Sequence, residues 1–171
     1  MPVPAVVALL PLFLLPGPPV APSSPSPAAL RAADAAYRWP VVPPRVVRRF
    51  EPPAQRWLPG HRGVDLESSA GAVVRAAAGG VVVYAQALAG RGVVSVAHAG
   101  QLRTTYEPVT ATVRIGDHIA AGDPIGTVET GHPGCAADAC LHWGLRRGEV
   151  YLDPLALLGF GRVRLLPLDG R

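Results

Sequence analysis

The sequence predicts an all-β protein, a compact antiparallel sandwich or barrel-like stack that follows a proline-rich N-terminal arm. Three observations predict this class. Short β-branched runs alternate with glycine-containing turns, no sustained helical period occurs between residues 61 and 150, and proline gives way to glycine near residue 55. The chain has 171 residues and an apolar fraction of 49%, which is enough for one packed core. We therefore expect one β domain with a non-globular extension.

Composition divides the chain into four segments. Residues 1–30 contain no charged side chain, and the apolar run at 5–15 is too short to span a bilayer but fits a secretory signal. The alternative is a disordered Pro/Ala tail. Residues 31–54 form the proline-rich arm, 55–160 the β domain and 161–171 a C-terminal tail. We expect an exported protein, secreted or cell-wall associated, with no stable membrane span after processing.

The strands are predicted from β-branched runs and from the turns that separate them. The predicted strands cover residues 73–77, 81–84, 92–98, 103–107, 125–129 and 141–147. Asp153, followed by Pro154, predicts a short helix that ends near residue 158, since an aspartate cap and a proline in the first turn favour a helix start.

Charge limits the partners that the chain can bind. All 16 basic residues are arginines and the net charge is +4, but the arginines are scattered along the sequence. Scattered charge does not form the basic stripe of a nucleic-acid-binding surface, so no nucleic-acid partner is expected. A mild positive charge suits an anionic partner such as a bacterial cell wall. A single exported domain is expected to be a monomer.

Two histidines and one aspartate form a candidate metal site. His61 and Asp65 lie in a His-Arg-Gly-Val-Asp stretch, and His142 lies nearly eighty residues later. Zinc takes two imidazoles and a carboxylate when one coordination position is left open. Strand alternation directs the apolar Leu141 and Trp143 to the core and therefore turns His142 into a cleft. These three residues are therefore a candidate zinc site.

Four blocks of sequence resemble, in order and spacing, the lysostaphin/LytM-type zinc metallopeptidase family. The blocks are HRGVDLESSAGAVVRAAAGGVVVYA, VVSVAHAGQLRTTYEPV, VRIGDHIAAGDPIGTV and CLHWGLRRGEVYLDPLALL. The resemblance covers about residues 50–158 and implies the all-β duplicated hybrid motif. It also implies that His61, Asp65 and His142 bind zinc, and that the substrate is a peptide cross-link or stem peptide of bacterial peptidoglycan.

The resemblance further implies two histidines beside the zinc, and this chain has Cys140 and Pro108 at their positions. A positioned base adds roughly 10²- to 10⁴-fold to a rate, so a substitute matters. His132 takes the role if its loop is fastened at the metal edge, or is a solvated loop residue. Glu107 is a candidate, although alternation is expected to turn it away from the face of residue 108. Tyr106 either donates to a developing oxyanion or is buried in the core.

The two cysteines can fasten the loop that contains His132. Cys135 and Cys140 are close in sequence, and in an exported protein such a pair predicts a disulfide. In a cytosolic protein the same pair indicates free thiols or a metal pair.

Two other function classes share features with this sequence. Residues 113–126 resemble the turn of biotinyl and lipoyl carrier domains, but carriers need a lysine and the chain has none. The second alternative is a catalytically degenerate module that binds peptidoglycan or activates another hydrolase, which the two missing histidines favour. The complete metal-ligand set favours a zinc metalloendopeptidase.

Overall fold

The structure is a computed structural model that describes residues 37–55, 57–135 and 137–160. The predicted signal-like segment at residues 1–30 and the predicted tail at 161–171 lie outside the described residues. In the described ranges no helix is both long and apolar enough to cross a membrane.

The described residues form two antiparallel sheets, which confirms the predicted all-β class. The strands are β1 (Val46–Arg48), β2 (Gly63–Ser68), β3 (Val73–Arg75), β4 (Gly80–Leu88), β5 (Arg91–Ala97), β6 (Leu102–Glu107), β7 (Val109–Ala111), β8 (His118–Ile119), β9 (Pro124–Val128), β10 (Ala139–Arg147) and β11 (Val150–Leu152). The larger sheet has the order β1-β2-β10-β6-β5-β4-β8, with β11 paired to β10. The smaller sheet has the order β3-β9-β7.

Two 3-10 helices, Ala99–Gln101 and Pro154–Leu158, are the helical elements of the described part of the chain. The second is the short helix predicted from the sequence. Its cap is Asp153, whose carboxylate accepts a hydrogen bond from the backbone N–H of Leu155 at 3.0 Å.

The core lies between the two sheets. On β10, Leu141, Trp143 and Leu145 face inward and are at most 2% exposed, because alternate residues of a strand point to opposite faces. The smaller sheet covers them and contributes the buried Val74 and Ile125. The other face of the larger sheet is therefore left for polar side chains.

The proline-rich arm packs on the domain from residue 37 onward. Val46 of β1 pairs with Leu66 of β2, and Val41 is only 4% exposed. The ring of Trp39 lies 6.2 Å from that of Trp143. The arm therefore lies along the domain through backbone and core contacts.

The register of β2, β10 and β6 arranges the outer face of the larger sheet in rows. Side chains of directly paired residues lie on the same face. The first row is Asp65–His142–Glu107, the second is Gly63–Gly144–Thr105, and the third is Arg146–Arg103. Neighbouring rows are about 7 Å apart, two residues along each strand. The residues that β10 and β6 contribute to these rows line a cleft.

The contacts of the arm predict the effect of a truncation. A protein that begins at residue 55 lacks β1, Val41 and Trp39, and we expect it to melt at a lower temperature than one that begins at residue 37. Burial of a single valine contributes roughly 1.5–3 kcal/mol, before the lost strand pairing is added. Thermal unfolding followed by circular dichroism measures the difference. Equal melting temperatures would contradict a structural role for the arm.

Candidate metal centre and its cleft

Three predicted ligand atoms converge at the first row. His61 Nε2 lies 2.9 Å from Asp65 Oδ1, His142 Nδ1 lies 2.8 Å from the same oxygen, and the two nitrogens are 3.1 Å apart. Asp65 comes from β2 and His142 from β10 directly beside it, while His61 forms an isolated bridge just before β2. The pairing of two strands thus brings together residues that are distant in sequence.

The tautomer of His61 is set by the backbone. Its Nδ1 lies 2.7 Å from the carbonyl oxygen of Arg49, which can only accept a hydrogen bond. Nδ1 therefore carries the proton, and in a neutral imidazole Nε2 presents its lone pair to Asp65 Oδ1. Two acceptor atoms at 2.9 Å repel each other unless a cation lies between them. The short distance between these two atoms therefore favours a proton or a metal ion between them.

The carboxylate of Asp65 is held in its charged form although it is only 1% exposed. Burial by itself raises the pKa of Asp65, but hydrogen bonds from His132 and His142 outweigh it and hold the pKa well below the usual range. Its second oxygen, Oδ2, is buried and has no hydrogen-bond partner in the described part of the chain. A buried anionic oxygen without a partner is costly, so the site is suited to a bound cation.

The donor set fits zinc. His61, Asp65 and His142 each offer one ligand atom, and these atoms all lie within 4.8 Å of one another. Two imidazole nitrogens and one carboxylate oxygen are a set that zinc takes in sites with an open position.

A glycine makes room for the His142 ring. A Cβ atom on Gly63 would lie 2.6 Å from His142 Nε2 and 2.5 Å from the carbonyl oxygen of Trp143, both closer than real contacts. A Cβ on Gly144, its direct partner across the strands, would lie 3.7 Å from its nearest neighbour. Gly63 was not among the predicted site residues. Its position two residues before Asp65 is the sequence feature that could have identified it.

His132 lies beside the metal ligands. Its Nε2 is 3.1 Å from Asp65 Oδ1, its ring centroid is 5.7 Å from that of His142, and its side chain is 11% exposed. A disulfide joins Cys135 to Cys140, and Cys140 belongs to β10 on the same side as His142. Of the two alternatives predicted for His132, the structure shows the fastened loop and not the solvated one.

Glu107 faces the cleft, contrary to the expectation from strand alternation. It lies directly opposite His142, and its carboxylate accepts hydrogen bonds from Arg91 at 3.0 and 3.5 Å. The expectation was wrong because it placed residue 108 in the cleft, whereas Pro108 is buried. The pleat of β6 turns Tyr106 inward and Glu107 outward.

Tyr106 belongs to the core. It is 0% exposed, and its hydroxyl accepts a hydrogen bond from the Ala77 N–H at 2.8 Å and is hydrogen-bonded to the Thr104 hydroxyl at 2.9 Å. Burial raises the pKa of Tyr106 to about 12. The hydroxyl does not reach the cleft, so the predicted oxyanion contact is not available and the core alternative holds.

The cleft is strongly basic, a property that the scattered arginines of the sequence did not reveal. Its lining contains five arginines, Arg48, Arg62, Arg91, Arg103 and Arg146. One carboxylate, Glu107, lies among the same lining residues and is bound to Arg91. Different strands and loops contribute these charges, so they come together only in the folded protein.

Comparison with known proteins gives the family. The sequence model of peptidase family M23 matches residues 59–154, more than half of the chain. The chain belongs to peptidase family M23. It is also 51% identical over 147 residues to the uncharacterized protein Rv2891 of Mycobacterium tuberculosis, with 83% of this chain and 59% of that protein covered. The chain thus spans about three fifths of the length of this relative.

Solved structures show the same fold. The SpoIIQ–SpoIIIAH pore-forming complex matches with a TM-score of 0.62 at 24% identity, covering 71% of this chain and 90% of the matched one. Lysostaphin matches with a TM-score of 0.60 at 21% identity, covering 81% and 61%. At these identities the similarity concerns the fold. Together with the family match, it confirms the resemblance drawn from the sequence blocks.

The contacts of Gly63 predict a selective loss of metal binding. We expect Gly63→Ala to weaken zinc binding by about 10- to 100-fold, the usual effect of disturbing a group that orients a ligand, because the new methyl group displaces the His142 ring. Gly144→Ala is the matched control, since its methyl group meets ordinary contacts. Zinc affinity is measured by competition with a chromophoric chelator, and melting temperatures are recorded for both variants. Equal zinc affinities for both variants would contradict the role of Gly63.

Proposed function

We propose that this domain is an exported zinc metallopeptidase that hydrolyses peptide cross-links or stem peptides of bacterial peptidoglycan. The observation that carries the proposal is the convergence of His61 Nε2, Asp65 Oδ1 and His142 Nδ1 on the floor of an open cleft. Membership of peptidase family M23 supports the same chemistry. When bound, zinc acts as a Lewis acid toward a peptide carbonyl and provides an activated water at neutral pH.

The first role of the protein is to hold the metal in a fixed geometry. Arg49 fixes the tautomer of His61 through its carbonyl oxygen, and Gly63 lets the His142 ring lie against β2. Asp65 supplies the negative charge, and its buried position makes the exchange of zinc for water costly. These supports preorganise the ligands, so little reorganisation is needed on binding.

His132 is the proposed proton-transfer group. Both histidines that the family resemblance implies are missing, and His132 is the remaining imidazole beside the three ligands in the described part of the chain. Its imidazole lies beside the ligand cluster, and an imidazole in this position can accept a proton and return it to the leaving amine. Glu107 is the second candidate, but its carboxylate is engaged by Arg91, which makes it better suited to fixing that arginine.

The second row of the cleft is the proposed binding surface for the substrate. Gly144 lines the cleft and has no side chain, and a Cβ atom there would lie 3.7 Å from its nearest neighbour, so the floor of the cleft beside the ligands is open to an extended peptide. The backbone of an extended peptide can therefore approach this part of the floor closely. Tyr106 and the core beneath it keep the floor rigid.

The proposed setting outside the cytosol rests on the disulfide. A bond between Cys135 and Cys140 persists in an oxidising compartment and is rare in a reducing one. The apolar, uncharged segment at residues 1–30 fits a secretory signal and supports the same setting.

A second candidate function is a zinc-binding module that binds peptidoglycan or activates another hydrolase. Cys140 and Pro108 at the positions of the expected histidines favour it. So does the fold shared with SpoIIQ, which is found in a complex with SpoIIIAH. Under this alternative the cleft binds a partner or a wall peptide without cleaving it.

Zinc content and peptide release, measured on the same purified protein, test the proposal. We expect stoichiometric zinc and release of peptides from purified cell walls by the unaltered protein. His142→Ala is expected to lose both. His132→Ala is expected to keep its zinc while hydrolysis falls by roughly 10²- to 10⁴-fold, the usual contribution of a positioned base.

The results separate the candidates. Stoichiometric zinc with no release above the His142→Ala control would rule out the peptidase and favour the binding module. Absence of zinc would remove both the site and its chemistry. Full activity of His132→Ala would transfer the proton-transfer role to Glu107, and loss of zinc from His132→Ala would make His132 a metal ligand.

Removal of the disulfide tests how His132 is held. We expect Cys135→Ser combined with Cys140→Ser to lower hydrolysis nearly as much as His132→Ala, with zinc content unchanged, because the loop is then free to leave the cleft. In the His132→Ala background the same two substitutions are expected to cause no further loss, since both changes act through one side chain. A loss of equal size in both backgrounds would show that the disulfide acts on something other than His132.

A further inference from the structure

Two arginines face each other at the third row of the cleft. Arg103 of β6 is the direct partner of Arg146 of β10, and both side chains line the cleft. Like charges at directly opposed positions of neighbouring strands are destabilising. The protein alone gains nothing from this arrangement, so a ligand that neutralises the pair is the natural reason for it.

The pair is poorly neutralised by its surroundings. Arg103 Nε is buried and has no hydrogen-bond partner in the described part of the chain. Arg146 lies 3.8 Å from the carboxylate of Glu149, a long ionic contact. Burial lowers the pKa of Arg103 and the charge of Arg146 lowers it further, which together outweigh the opposite effects of Tyr151 and Glu149, although a guanidinium remains charged at neutral pH. The single acid of the cleft lining, Glu107, lies at the other end and is bound to Arg91.

We propose that Arg103 and Arg146 bind a carboxylate of the substrate, so that the cleft selects peptides with free carboxylates over neutral peptides. Two guanidinium groups can bind one carboxylate through several short, charge-assisted hydrogen bonds. This inference rests on the proposed function only in taking the cleft as a peptide-binding site. It names acidic stem peptides as the substrate class, in preference to uncharged glycine bridges.

The spacing fits a carboxylate several residues away from the bond that is cut. Arg146 follows His142 by four residues on the same face of β10, a separation of about 13 Å. An extended peptide advances by at most about 3.3–3.6 Å per residue, so the recognised carboxylate lies about four residues, or fewer with a long side chain, from the ligand cluster. Gly144 lies between the two ends and leaves the path clear.

The test compares two synthetic stem peptides that differ in charge alone, one with free carboxylates and one with the same groups as carboxamides. Affinity is measured by calorimetry on chelator-treated protein, so that hydrolysis does not consume the peptide, and kcat/KM is measured on the zinc-loaded protein. We expect the carboxylate peptide to bind at least about tenfold more tightly, as expected for hydrogen bonds between charged groups.

Arginine variants locate the effect. Arg146→Gln and Arg103→Gln are each expected to weaken binding of the carboxylate peptide by about tenfold or more while leaving the carboxamide peptide unchanged. Neither is expected to lower the melting temperature, because each removes a like-charge contact. Arg147→Gln is the matched control, since Arg147 follows Arg146 on β10 and points to the opposite face.

Each outcome decides one of the two proposals. Equal affinity of the unaltered protein for both peptides would overturn the carboxylate site, and so would an equal effect of Arg146→Gln and Arg147→Gln. Selective binding without hydrolysis of either peptide would keep the carboxylate site and remove the peptidase. Hydrolysis of both peptides with equal kcat/KM, together with equal affinities, would keep the peptidase and remove the carboxylate site.

Discussion

The carboxylate of Asp65 sets the main constraint on this structure. It is buried, it remains charged, and three imidazoles approach the same oxygen at 2.8 to 3.1 Å. One of these imidazoles, that of His61, presents a lone pair because the carbonyl of Arg49 occupies its other nitrogen. Such a cluster is suited to a bound cation, and much of the nearby structure serves to hold the cluster together.

The larger sheet provides this support through its pleat and register. Alternation on β10 places Trp143 in the core and His142 in the cleft, and the same alternation on β6 separates Tyr106 from Glu107. The hydrogen-bonded hydroxyl of Tyr106 ties β6 to the backbone at Ala77 on the smaller-sheet side. A rigid floor follows from these contacts, and ligands on paired strands keep their spacing without a flexible loop between them.

Much of this could be predicted from the sequence, because strand periodicity is local. The β-branched runs gave the positions of β5, β6, β9 and β10, and alternation gave the direction of His142. The direction of Glu107 was mispredicted because it depends on which residue of β6 lies in the cleft, and a single sequence does not contain that register. Strand β1 was not predicted from the sequence, because prolines flank it on both sides. The pairing of Arg103 with Arg146 depends on the long-range register of two strands, so no local sequence pattern predicts it.

Crystallography at the zinc absorption edge tests the central claim most directly. Crystals of the zinc-loaded protein are predicted to show one strong anomalous peak, about 2.0–2.1 Å from His61 Nε2 and His142 Nδ1 and about 2.0–2.2 Å from an oxygen of Asp65. A zinc peak at other residues, or no peak between these three side chains in crystals grown with zinc, would contradict the metal centre on which the proposed function rests.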